Sequence, residues 1–484
     1  MASEGVKTLG AIDLALIGLY FAFLIVLAFR FFGIAKKDAA EYLVMGRRLA
    51  LPSFVATLVT TWYGGILGVG EFTYRYGISN WLVFGLPYYV GAALFAWLVA
   101  RLARRSRYYT VPDQLASAYG KPAALVGAVV IQILSSPAPY VLMLGVLLEL
   151  IFGVPLTWAI IGGALVSMMY SIRGGLRSVV RADAVQFVLM YLGFLIALPL
   201  LVTRYGGLGF LKQHLPATHF VWHGGNPPQY IFVWYLIALQ TLVEPTFYQR
   251  SFAAADEKVA RRGVLISIGF WMLFDFLTTA TGLYARALLP NLKDPVAAYP
   301  ALAVDILPPV VRGLFYLGLL ATVMSTVDGY TFIGGVNFGR DLIWRWRGEK
   351  DESRVNRYVQ IGYVMTAILS ILLALYVRSA VDLWHDVGSV GVPALLIPLL
   401  ASYSDRFRLP SNAAVASMLA GAGVSLLWLL SRYFAWTPGY PLGIEAIYAG
   451  LLASLIPALW GHLQGQKKSP SRGNLSPGAG DLNR

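Results

Sequence analysis

Stretches of about twenty predominantly apolar residues recur along this chain, and that recurrence limits its fold more than any other feature. An α-helix needs ~20 such residues to cross a bilayer, and only helices and closed barrels satisfy their own backbone groups in hydrocarbon. From Ala11 to Leu463 about thirteen stretches meet the length criterion, centred near residues 22, 64, 90, 137, 164, 193, 237, 273, 323, 367, 392, 422 and 452. The expected fold class is therefore all-α, a polytopic membrane protein with about 13 transmembrane helices. The composition agrees, with 58% of the 484 residues hydrophobic and 13% charged, far from the balance of a soluble domain.

The first stretch, AIDLALIGLYFAFLIVLAFRFFG, is too long for a signal-peptide core, carries Asp13 and is followed by no small-residue cleavage site, so it reads as a retained span. There are no cysteines, which excludes disulfides and thiolate metal sites and leaves the redox compartment undetermined. The net charge of +14 does not point to nucleic acid, because the basic residues fall in alternate loops. They cluster at Arg30 to Arg48, Arg101 to Arg107, Arg173 to Arg181, Arg250 to Arg262, Arg340 to Arg357, Arg406 with Arg408, and Lys467 to Arg472. By the positive-inside rule these loops are cytoplasmic. The chain is then expected in a plasma (bacterial inner) membrane, N-terminus outside and C-terminus cytoplasmic. Its last part, 464–484, is rich in Gly, Pro and Ser and is expected to be a disordered cytoplasmic tail.

Two spans are interrupted. The second, FVATLVTTWYGGILGVGEFTYRYG, carries Gly64, Gly65, Gly68 and Gly70 near mid-membrane, and the seventh carries Glu244-Pro245 well inside it. Glycine costs about 1 kcal/mol in a helix interior, and proline removes a backbone hydrogen bond. Freed backbone groups survive at that depth only in a cavity or against protein. Breaks five spans apart, at matching positions of two five-span units, mark an inverted-repeat transporter with its site near the midplane. Close helix packing through Gly64-x-x-x-Gly68 is the other reading of those glycines.

Four stretches, EYLVMGRR (41–48), GGLRSVVRADAVQ (174–186), YQRSFAAADEKVARR (248–262) and LLATVMSTVDGYTFIGGVNFGRDL (319–342), resemble the sodium:solute symporter family, as do TVPDQLASAYG (110–120) and GVPALLIPLLASYSDRF (391–407). The resemblance follows in order and spacing over nearly the whole chain. It implies a LeuT-like 5+5 core with repeats at about 51–205 and 226–403, flanking helices at 11–33, 409–434 and 440–463, one transporter domain over 1–463, and sodium-driven uptake. It also implies a sodium site at the first break, from the carbonyl of Leu58, Thr61, the carbonyl of Thr322, and the hydroxyls of Ser325 and Thr326. Neutral oxygens suit a hard monovalent cation that must also be released. The plainer reading of the hydroxyls is hydrogen bonding to the carbonyl four residues earlier.

Asp328 matches the acidic position of the family motif and is expected to face the bundle interior, supporting or gating, with a basic partner. Asp183 also matches, but the threonine that precedes it in the family is here Ala182. It reads equally as an intracellular salt bridge with Arg177 or Arg181 and as a waypoint for ion release. The breaks nominate Trp62, Tyr63, Gly65 and Glu71, with Gln240, Glu244 and Phe247, as the substrate cavity. Intramembrane carboxylates are functional candidates by default; Glu71 reads alternatively as a surface partner of Arg75. The expected partners are a small-molecule solute and the lipid bilayer, with no nucleic acid and no obligate protein partner evident. Na+ is the expected coupling ion, an amino acid such as proline or a similar amine is weakly favoured as solute, and sugars, monocarboxylates or pantothenate remain open. Proton coupling through the same fold is the rival, with His385-Asp386 its nearest support. His214, His219 and His223 read as a solvated loop without metal spacing. An intramembrane enzyme finds no equipment here, and a channel finds no filter loop.

Overall fold

The computed structural model describes residues 9–30, 38–376, 380–434 and 440–468. Among the described residues the chain is helical, and its nearest approach to a sheet is one isolated parallel bridge between Leu49 and Ala254. The helices that matter here are α1 (Ala11–Arg30), α2 (Leu51–Trp62), α3 (Ile66–Tyr76), α4 (Leu86–Leu98), α5 (Lys121–Leu134), α6 (Ala138–Phe152), α7 (Leu156–Tyr205) and α8 (Pro228–Ile237). They continue with α9 (Pro245–Ala253), α10 (Glu257–Leu288), α11 (Val311–Val336), α12 (Val355–Tyr376), α13 (Ala380–Ala401), α14 (Ser411–Phe434) and α15 (Ala446–Lys468).

Ten described helices are long and apolar enough to cross a bilayer, and α2 with α3, bent by 57°, forms an eleventh span. The stretches centred near 22 and 164 are helical too but shorter among the described residues, so eleven of the about thirteen expected spans are found at full length there. The helix α7 runs for 50 residues and changes direction at Gly175, whose φ is +60°. Two stretches thus meet without a loop. A Cβ at Gly175 would lie 2.5 Å from the carbonyl of Tyr42, so this corner needs glycine twice over, for its left-handed backbone and for its closeness. At the C-terminal end, α15 extends to Lys468, beyond residue 463; the rest of the expected tail, and the first eight residues, lie outside the described residues.

Burial explains where polarity is allowed. Every residue of α11 from Phe315 to Val336 is buried, whereas most of Ala446–Gln464 is not. α11 is thus the centre of the bundle, packed by α7, α1, α2 and α6, and can carry hydroxyls and a carboxylate without showing them to lipid. Large apolar side chains such as Leu19, Trp97, Phe276, Leu427 and Trp460 are exposed on the outer helices, as a lipid-facing surface requires. Asp13, fully buried, accepts the N–H groups of Val310 (3.1 Å) and Gly313 (3.1 Å) and pairs with Arg312. It thereby holds a turn in which Val310 has a φ of +72°, rare for a β-branched residue.

The basic loops gather on one another. Arg47 donates to the carbonyls of Arg107, Tyr108 and Phe252, Arg104 to that of Ala254, and Arg105 pairs with Glu257. Beside them Arg340 and Arg345 both bind Asp113 and Asp341. Burial acts to raise the Asp113 carboxyl, but the two guanidinium groups outweigh it and hold it below its ordinary value. A lowered carboxyl contributes stability that is complete above the ordinary range near pH ~4 and is lost as pH falls through the lowered value. Thermal unfolding of detergent-purified protein should therefore show a steeper loss of melting temperature on acidification below pH ~4 in the wild type than in Asp113→Asn. Equal slopes would remove Asp113 from that account.

Candidate functional site

Both interrupted spans pack against α11. α2 ends at Trp62, Tyr63 leaves helical geometry with its N–H on the Thr60 carbonyl (3.3 Å), and Gly64-Gly65 lead into α3. A Cβ on Gly64 would sit 2.1 Å from Thr326 Oγ1, and one on Gly65 2.2 Å from the Trp384 ring. The two readings of these glycines are thus one fact: the helix is broken, and its broken part is packed hard on α11 and α13. In the seventh span α8 tightens into a 3₁₀ turn over Ala238–Leu242, and Glu244 caps α9 by accepting the Thr246 N–H at 3.4 Å, with Pro245 in the first turn, where a missing N–H costs nothing. Gly64→Ala should cost about 1–3 kcal/mol by overpacking and abolish transport at an unchanged membrane level; uptake and melting temperature check this.

At the first break a cluster of oxygens joins four helices. Thr326 Oγ1 donates to the carbonyls of Thr60 (3.3 Å) and Thr322 (3.3 Å). Ser325 Oγ donates to Asp183 Oδ1 at 2.6 Å, and Thr57 Oγ1 donates to Asp183 Oδ2. Arg250, fully buried on α9, donates from Nη2 to Thr61 Oγ1 (2.8 Å) and Thr57 Oγ1 (3.2 Å) and stands 3.9 Å from Asp183. Thr322 turns its own hydroxyl back to Gly318 O at 2.7 Å, the plain helical bond, leaving its carbonyl as its contribution here. All of these groups are hard oxygens or their hydrogen-bond partners, the donor chemistry that suits an alkali cation.

Of the residues nominated for the ion, Thr61, Thr322, Ser325 and Thr326 come together. Leu58 is buried in α2, and helix geometry commits its carbonyl to the intrahelical ladder; the carbonyl that meets Thr326 is that of Thr60. Asp183 is no partner of Arg177, which pairs with Glu41; its cation is Arg250, because the turn at Gly175 carries residue 183 into the interior. Asp328 has no basic partner among the described residues. It accepts from Ser167 on α7 through Oδ1, and its Oδ2 is buried without a hydrogen bond.

A cavity of about 110 Å³ opens between the two breaks. Trp62, Tyr63, Gly65 and Gln240 line it. Glu244 stands behind Gln240, whose Nε2 donates to Glu244 Oε2 at 3.0 Å, and Phe247 packs edge-on to Trp62 with ring centres 5.2 Å apart; neither reaches the wall. Glu71 pairs with Arg75 at 2.9 Å, away from the cavity, as its alternative reading has it. Sequence reasoning missed Asp275 on α10, which lines the wall with Trp271, Tyr89 and Trp384; a single aspartate in an apolar run was its signal. His219, expected in a solvated loop, is buried with Nε2 3.0 Å from the Tyr74 carbonyl. His385 lies between Asp386 and Glu445 at 3.3 Å each, away from the oxygen cluster.

A family model described as "SSF: Sodium:solute symporter family" matches residues 42–421. The chain belongs to the sodium:solute symporter family. It is thus a membrane transporter and not an enzyme. Among its relatives, the sodium/pantothenate symporter of Haemophilus influenzae is 26% identical over 63% of this chain and 66% of its own. The osmoregulated proline transporter OpuE of Bacillus subtilis is 24% identical over 91% of this chain and 94% of its own. In structure, a Na+-coupled sialic acid symporter in a substrate-bound, outward-open state superposes with a TM-score of 0.76 at 16% identity, over 95% of this chain and 98% of that one. That likeness establishes the shared LeuT-type fold.

Proposed function

We propose that this symporter uses an inward sodium gradient to import a small organic solute bearing an amine, an amino acid such as proline or a close relative of one, by alternating access across the plasma membrane. The observation that carries the reading is the junction of Thr326 Oγ1 with the carbonyls of Thr60 and Thr322, with Ser325 and Asp183 adjoining. Ion ligands and cavity share the α2–α3 break, so an ion that orders the break also shapes the solute wall. The first N–H groups of α3 point out of the break without helical partners and favour the carboxylate of a zwitterion. One net charge moving inward through ~100 mV supplies ~2.3 kcal/mol, roughly fifty-fold accumulation before the sodium gradient is added. The gathered basic loops fit a cytoplasmic face, with the N-terminus outside.

Arg250 gives coupling a route. It ties α9, the far side of the second break, to Thr57 and Thr61 of α2 and through Asp183 of α7 to Ser325 of α11. Proton coupling has one observation in its favour, the buried Asp183 that accepts from the Ser325 and Thr57 hydroxyls. Proteoliposome uptake of labelled solutes under an inward sodium gradient separates the two. Accumulation that fails when potassium replaces sodium supports the proposal; accumulation driven by a proton gradient without sodium rejects it.

A further inference from the structure

We propose that the cavity selects an organic ammonium group, methylated or cyclic, and that Asp275 is its anchor. This rests on the reading of the cavity as the solute site and deepens it. Asp275 lies in the middle of α10 and is 3% exposed, with its carboxylate on the cavity wall. Tyr63, at the first break, donates its hydroxyl to Oδ1, and Tyr89 of α4 donates to Oδ2. Gly85 makes room for this: a Cβ there would stand 3.3 Å from Oδ2 and 3.0 Å from the Tyr89 hydroxyl. Among the described residues no lysine, arginine or histidine pairs with Asp275, and none lines the cavity. Each carboxylate oxygen retains accepting capacity after its one phenol bond. A carboxylate at membrane depth costs ~2.5–3.5 kcal/mol on insertion scales, and two phenols do not neutralise it. A cation from outside does.

The rest of the wall names which cation. Trp62 stands 5.7 Å from Tyr88 and 6.5 Å from Trp271 between ring centres, and Tyr140 stands 5.9 Å from Trp384. All five line the cavity. Trp271 is one helical turn from Asp275, so carboxylate and indole share one face of α10. Aromatic faces attract a cation that sheds its water easily, as methylated and ring ammonium groups do. A bare alkali ion needs several oxygens, and the wall gives it little beyond the carboxylate, phenols, Gln240 and Ser136. A carboxylate-only solute meets no positive side chain there and is repelled by Asp275. A sugar carries no positive charge for Asp275 to hold.

The test is uptake into proteoliposomes of wild-type protein under an inward sodium gradient, with labelled choline, glycine betaine, proline, pantothenate and glucose. The proposal expects transport within the first three, and choline against the two zwitterions tells whether a carboxylate is also read. In Asp275→Asn, KM for the transported solute should rise at least about tenfold, with the half-saturating sodium concentration unchanged when read at saturating solute and part of the affinity restored in Asp275→Glu. Transport confined to pantothenate or glucose, or an unaltered KM in Asp275→Asn, overturns it. If Asp275→Asn does not fold, competition among the five solutes for binding to the wild type decides instead. Absence of sodium-driven uptake defeats the symport reading alone, because equilibrium binding of the same panel still decides between ammonium and other solutes.

Discussion

Sodium-dependent uptake should be lost in the Ser325→Ala, Thr326→Ala double variant, while the protein still reaches the membrane and still melts cooperatively. The double substitution removes the hydroxyl that spans the Thr60 and Thr322 carbonyls and the one that holds Asp183 Oδ1, both at fully buried positions. Neither hydroxyl is needed by the helix backbone. Thr326 reaches across to α2 as well as back along its own helix, and Ser325 makes its bond only across to α7. The expected result is at least about a tenfold rise in the sodium concentration for half-maximal uptake in each single variant, equivalent to ~1.4 kcal/mol, and no measurable sodium stimulation in the pair. Uptake that keeps its sodium dependence in the double variant would mean the two hydroxyls serve only packing.

The second large effect belongs to Arg250. Its guanidinium is sealed from solvent, donates to Gln249 Oε1 (2.9 Å), Thr57 and Thr61, and faces Asp183. Arg250→Ala leaves a buried carboxylate uncompensated, which costs about 3–5 kcal/mol. Arg250→Lys keeps the charge but gives up the planar fork that reaches both threonines, so it should keep the fold and lose most transport. Arg250→Met with Asp183→Asn removes both charges together and should recover much of the stability lost in Arg250→Met alone. Thermal unfolding of the four-member cycle measures this coupling, and strictly additive losses would mean that the pair is independent.

The fold was legible from its apolar lengths because the bilayer fixes how long a spanning helix must be. The broken spans were legible because glycine and proline act locally. Sequence length alone does not show that the stretches on either side of Gly175 meet at a glycine corner without a loop. The α11 half of the oxygen cluster was legible because a hydroxyl run within an apolar helix is rare. The Thr60 carbonyl that meets Thr326 was not, since which carbonyl turns toward a neighbouring helix depends on where its own helix stops. Arg250 and Asp183 lie 67 positions apart on different helices, and no periodicity joins them. Nearness in sequence brought Arg177 forward as one possible partner, yet it pairs with Glu41. Asp275 was hidden for a similar reason. Its partners Tyr63 and Tyr89 come from the α2–α3 break and from α4, and only the folded bundle brings those three together.

The central claim is that the oxygen cluster and the cavity act as one coupled site, and solute-stimulated entry of labelled sodium tests it most directly. Wild-type proteoliposomes are loaded without sodium, and tracer sodium uptake is followed with and without the transported solute outside, at clamped membrane potential. The account predicts sodium entry that requires the solute, in a fixed ratio to it, and that vanishes in the Ser325→Ala, Thr326→Ala variant. Solute entry with no accompanying sodium, driven equally well by a proton gradient, would contradict it.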